Sequence, residues 1–123
     1  MNTETRTHLE EVRQTGQTVC EALCSEITKL GLPDSISMPV LDDADYILSP
    51  DPMNGKNSLV GTWRNDKGQK TGEILFHADG SFYAEYDVVR PHPKKQNWFV
   101  EGVTAWGNDS VVKAEPKLLP VVG

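Results

Sequence analysis

The apolar residues of this 123-residue chain change their period at Ser58, and no other feature limits its fold as much. Upstream, Leu9, Val12, Val19, Leu23, Ile27 and Leu30 recur at spacings of three, four and seven, with Gly16 filling the gap in the row. That row is one face of a helix. Downstream, apolar and polar residues alternate, which is the period of half-buried strands. A helical stripe beside an alternating segment has to be buried against that sheet or against a second copy of itself. The expected class is therefore α+β, a long N-terminal helix packed on a curled antiparallel meander of about five strands.

Local signals set the boundaries. Thr3 with Arg6, or Thr7 with Glu10 in the capping-box spacing, offers an N-terminal cap, and Gly31-Leu32-Pro33 supplies a stop. The spacing predicts a helix over 1–32, either continuous or bent near Gly16. Residues 33–57 hold four prolines, five aspartates and an Asn54-Gly55 turn, the composition of irregular structure. Their apolar residues, among them Ile36, Val40, Leu41, Tyr46, Ile47 and Met53, are too many for a free linker and predict an acidic, Pro-rich strap lying on the domain surface. Within it Asp42-Asp43-Ala44-Asp45 either caps a short helix or forms a solvated turn.

The sheet is expected over 58–115, built from LVGTWR, GEILFHA, SFYAEYDVV, NWFVEGVTA and SVVKAE, with an irregular tail over 116–123. Short connections make successive strands antiparallel neighbours. Asp79-Gly80 is the strongest hairpin signal and predicts a type I′ turn. Alternation sends Phe82, Ala84, Tyr86 and Val88 to one face and Tyr83, Glu85 and Asp87 to the other. Trp98 and Trp106, eight positions apart, are expected to share a face.

Length and charge restrict the function. One domain over 1–123 is long enough to bury a core without metal or disulfide support. No apolar run approaches the roughly 20 residues that span a bilayer, and MNTETRTHLEEV has neither the basic start nor the apolar stretch of a secretory signal. With only two cysteines, Cys20 and Cys24, the expected location is cytoplasmic. The net charge is −6, with five acids against one base in 33–57 and eight of each from residue 58 onward. Phosphate neutralisation needs a basic patch, so this balance argues against a nucleic-acid partner.

The pattern LVGTWRN followed by GEILFHADGSFYAEY resembles the opening of small lipocalin-like domains of the calycin kind, through Leu59, Gly61, Thr62, Trp63, Phe76, Asp79, Gly80, Phe82 and Tyr86. The resemblance covers under a quarter of the chain. It implies an up-and-down barrel around a small hydrophobic ligand, with Trp63 packed across the floor. Such barrels have eight strands or more, and this chain offers five.

Candidate chemistry is sparse. The loop from Arg90 to Trp98 gathers Arg90, His92, Lys94 and Lys95 beside Trp98, a cation-aromatic combination that can hold an anion or an acidic partner surface. The plainer alternative is a stiff, soluble hairpin loop. Tyr83 and Trp106 join these as candidate partner-binding residues, while Trp63, Phe76, Phe82 and Tyr86 are expected to line a cavity or the core. Cys20 and Cys24 face one side of the helix; with His8, His77 and His92 scattered, they read as core-edge residues and no metal site is expected. His77 near Glu73, Tyr83, Glu85 and Asp87 could move a proton, yet no nucleophile motif or phosphate loop accompanies it. No catalytic residue and no cofactor is assigned. The expected function is that of a small non-catalytic protein binding another protein or a second copy of itself. The alternatives are a calycin-like module for a small hydrophobic ligand and, more weakly, an enzyme or metal protein.

Overall fold

The computed structural model describes residues 1–108 and 111–121. A single helix, α1 (Thr3–Leu30), is followed by a 3-10 turn at Leu41–Asp43 and six strands: β1 (Asp45–Pro50), β2 (Asn57–Arg64), β3 (Lys70–Phe76), β4 (Phe82–Pro91), β5 (Trp98–Asn108) and β6 (Val111–Pro120). The strands form one antiparallel sheet in chain order, β1 to β6, curled around α1 but not closed. The α+β arrangement expected from the change of period is the one observed.

Asn2 begins the helix, its side-chain oxygen accepting the Thr5 N–H at 2.8 Å. It takes the capping place expected of Thr3 or Thr7. Gly31 ends the helix at a φ of 69°, the left-handed cap that glycine adopts without strain. No bend divides α1 at Gly16, which is buried and lets the helix approach Leu41 and Phe76. Leu9, Val19, Leu23, Ile27 and Leu30 are buried on the concave side of the sheet, each contributing about 2 kcal/mol relative to exposure. They meet Trp63, Ile74, Phe76, Phe82, Ala84, Tyr86, Val100, Val103 and Ala105 in one core.

Two boundaries differ from the sequence expectation. β1 lies inside the segment read as an irregular strap, raising the strand count from five to six. Its proline-rich flanks masked an alternation in which Tyr46 is buried and Ile47 exposed, and the Asn54-Gly55 turn is the hairpin joining it to β2. β6 runs on to Pro120, so residues 116–120 of the expected irregular tail are strand, with Pro116 accommodated because β6 is an edge. Val122 and Gly123 of that tail lie outside the described residues.

The rest of the strap, 33–44, is tied down by polar contacts. Trp63 Nε1 donates to Val40 O at 2.8 Å, Tyr46 OH donates to Leu41 O, Arg90 Nε meets Asp34 Oδ2 at 2.9 Å, and Ser37 Oγ lies 3.0 Å from Tyr86 OH. Trp63 is thus a core residue whose ring also meets that of Tyr86 at near right angles, the centroids 5.7 Å apart.

The Asp79-Gly80 hairpin is not type I′. Gly80 alone has positive φ there, and its N–H bonds to His77 O while the His77 N–H bonds to Ser81 O. This three-residue loop with a left-handed glycine is the next most common hairpin solution.

Candidate functional site

The helix covers only one side of the sheet, and the register shows what the other side carries. Ile47 pairs with Val60, Val60 with Leu75, Leu75 with Tyr83, and Tyr83 with Trp106. These five side chains form an apolar row across β1 to β5 on the outer face, ending beside Lys113 of β6. Strand spacing of about 4.8 Å makes the row some 19 Å long. Ile47 is 61% exposed, and Val60, Leu75, Tyr83 and Trp106 are half-buried.

A second row runs beside it: Asp45, Thr62, Glu73, Glu85, Thr104 and Glu115. Lys70 reaches Glu73 at 2.8 Å and Lys117 approaches Glu85 at 3.7 Å, leaving Asp45 and Glu115 as exposed carboxylates at the ends. Tyr83 OH donates to Glu85 Oε2 at 3.2 Å. Burial pushes the Tyr83 phenol up, with the Glu85 charge adding to it, and burial also pushes the Asp87 carboxyl up, reinforced by Glu85 and Glu101. The face is apolar along one line and electronegative along the next.

Of the residues singled out from the sequence, Tyr83 and Trp106 are brought into direct register here. Trp98 is not. Trp98 and Trp106 do not share a face, because an irregularity between Val100 and Gly102 inserts Glu101 and reverses the alternation. Trp98 keeps the parity of buried Val100 and stands 40% exposed at the start of β5, whereas Trp106 points outward with Thr104.

The loop cations are dispersed in role. Arg90 holds Asp34 and donates to Val88 O and Val89 O at 3.2 and 3.1 Å, fixing a bulge in β4. Its hydrogen bond holds the Asp34 carboxyl below the usual range, with its charge adding to the effect. His92 Nδ1 accepts the backbone N–H groups of Lys94 and Lys95, each at 3.0 Å, so it shapes the turn. The Lys94 stem lies over Gly31 at the C-terminus of α1, where a cation suits the helix dipole. Lys95 stands exposed in the loop.

Phe76, Phe82, Tyr86 and Trp63 are all buried in the core, and the concave side where a barrel ligand would sit is occupied by α1. A separate cleft of about 270 Å³ lies between α1 and the strap, lined by Gln17, Cys20, Glu21, Cys24, Val40 and Asp42. Burial pushes the Cys20 thiol up to about 12, and Cys24 Sγ donates to Pro39 O at 3.6 Å. Neither is a thiolate nucleophile at neutral pH.

His77 is set apart from Glu73 and Glu85 by the Leu75–Tyr83 pair. Ser58 Oγ at 3.2 Å and Asp51 Oδ2 at 4.0 Å both address His77 Nδ1. Among the described residues no group of three or more His, Cys, Asp or Glu side chains is placed to hold a metal ion. No helix among them is long and apolar enough to cross a membrane.

A comparison with family models finds no match for the chain, and comparisons with curated proteins and with solved structures find none either.

Proposed function

We propose that this protein acts without catalysis, by binding another polypeptide through the outer face of its sheet. The observation that carries the reading is the apolar row Ile47–Val60–Leu75–Tyr83–Trp106 lying uncovered beside the acidic row Asp45–Glu73–Glu85–Glu115. Burial of Tyr and Trp at the centre of a contact is where binding energy concentrates, and an acidic flank selects a partner with basic residues around an apolar stripe. The net charge of −6 favours the same class of partner and disfavours nucleic acid. Two unpaired thiols on one helix suit a reducing, cytoplasmic setting.

The test is capture from cell extract with three variants. Tyr83→Glu and Trp106→Glu should each lose the captured protein, and raised salt should weaken capture by wild type. Trp98→Glu, away from the row, should retain it. A captured set unchanged by Tyr83→Glu and Trp106→Glu overturns the reading.

The cleft at Cys20 and Cys24 favours a second reading, in which a small hydrophobic ligand is held between helix and strap rather than inside a barrel. Saturable slowing of Cys24 alkylation by an apolar probe such as a fatty acid would support it. Unchanged alkylation at saturating probe would remove it.

A further inference from the structure

Among the described residues the sheet is open and ends at two edge strands, β1 and β6, which are built differently. β6 carries Pro116 in its interior and Pro120 at its end, with Lys113, Glu115 and Lys117 alternating along it. An edge-strand proline turns its missing N–H toward solvent, and charges on an edge oppose further pairing. β1 has none of these devices inside it: Tyr46, Ile47, Leu48 and Ser49 are uncharged, each has an N–H, and proline comes only at Pro50. Ile47, at its centre, is 61% exposed. A groove of about 540 Å³ lies between this strand and the first turn of α1, lined by Asn2, Thr5, Tyr46, Leu48 and Asn57 among others.

We propose that two copies of this chain associate by pairing β1 with β1 of the second copy, antiparallel about a two-fold axis at Ile47, so that their sheets join into one. Opposed residues of an antiparallel pair lie on the same face, so a self-paired register must match inner with inner and outer with outer. The register centred on Ile47 does so over the longest ladder that excludes Pro50. Tyr46 then faces Leu48 of the partner subunit on the core side, Ile47 faces the partner's Ile47 on the outer side, and Asp45 faces the partner's Ser49. No like charges meet. The same operation centred on β6 would set Glu115 against itself and Lys113 against the partner's Lys117, a destabilising arrangement. An isologous edge contact of this kind closes at two copies and leaves no further β1 free.

The pairing does not rest on the outer-face reading, although it would join the two apolar rows end to end at Ile47. Edge pairing of so few residues buries less than the roughly 1,600 Å² of a standard interface, so the association is reversible and depends on concentration.

Light scattering or sedimentation of the full chain over rising concentration tests it. Wild type is expected to rise from the mass of one chain toward two. Ile47→Lys, at an exposed position and setting lysines opposite one another, is expected to remain at one chain. Trp106→Glu is expected to associate like wild type even where it loses a partner protein. Hydrogen exchange on wild type gives a readout free of mutation: amides of β1 should slow as concentration rises, and those of β6 should not. A constant one-chain mass, an Ile47→Lys dimer of undiminished strength, loss of the dimer in Trp106→Glu, or protection gained at β6 instead of β1 would each overturn the proposal.

Discussion

Val89 holds a φ of 54°, a left-handed conformation that a β-branched side chain adopts only under strain, of about 1–2 kcal/mol. Arg90 stabilises it by bonding the carbonyls of Val88 and Val89 while gripping Asp34 of the strap. Val89→Gly should therefore stabilise the fold, by up to about 1 kcal/mol once glycine's extra entropy in the unfolded chain is offset. A higher denaturant midpoint is the expected result. Trp63 works in the opposite sense: Trp63→Phe removes the Nε1 donor from Val40 O and part of a buried ring, and should cost about 2 kcal/mol. Cys20, buried against the helix and strap, should resist alkylation in the native protein and react on unfolding.

Among the elements, β2 shows how a short motif acquires its meaning. Gly61 of the Gly-Thr-Trp triplet faces the Tyr46 ring and Ile74; a Cβ there would lie 2.5 Å from Tyr46 Cε1 and 2.9 Å from Ile74 Cγ2. Gly61→Ala should displace the ring from its bond to Leu41 O and cost about 1–3 kcal/mol, read as a lower unfolding midpoint. The triplet therefore serves β1 packing. Sequence alternation could not reveal this, because Gly61 reads as a gap until β1 is placed beside it. The Glu101 bulge carries a similar lesson: one inserted residue sends Trp98 and Trp106 to opposite faces, and Gly102, where a Cβ would collide with the Tyr86 backbone, is the mark of it that strict alternation passes over.

For the whole molecule, two buried weak acids make stability fall in base. Burial raises the Cys20 thiol from 9.0 to about 12, and burial raises the Tyr46 phenol above its ordinary 10.0. Between about 9 and 12 the unfolded chain releases protons that the native state keeps. The native state then binds more protons, so stability is full below about 9 and declines as pH rises. Urea midpoints should drop between neutral pH and about 10, and Cys20→Ala should flatten that slope. A slope unchanged in Cys20→Ala would show that burial of this thiol does not govern it.

The sequence by itself determined the helix, its glycine stop, five of the six strands and the core faces of α1, β3 and β4, because these follow from periods that neighbouring residues impose on one another, whereas Leu41, Ala44 and Tyr46 join the core from the segment read as a surface strap. It also marked Tyr83 and Trp106, though not their pairing. Only the tertiary structure decided the outer row, since Ile47, Val60, Leu75, Tyr83 and Trp106 come from five strands and meet through register, which no local period encodes. It likewise placed β1 at a free edge, where proline and aspartate had hidden a strand, and filled with α1 the space in which a barrel would hold its ligand.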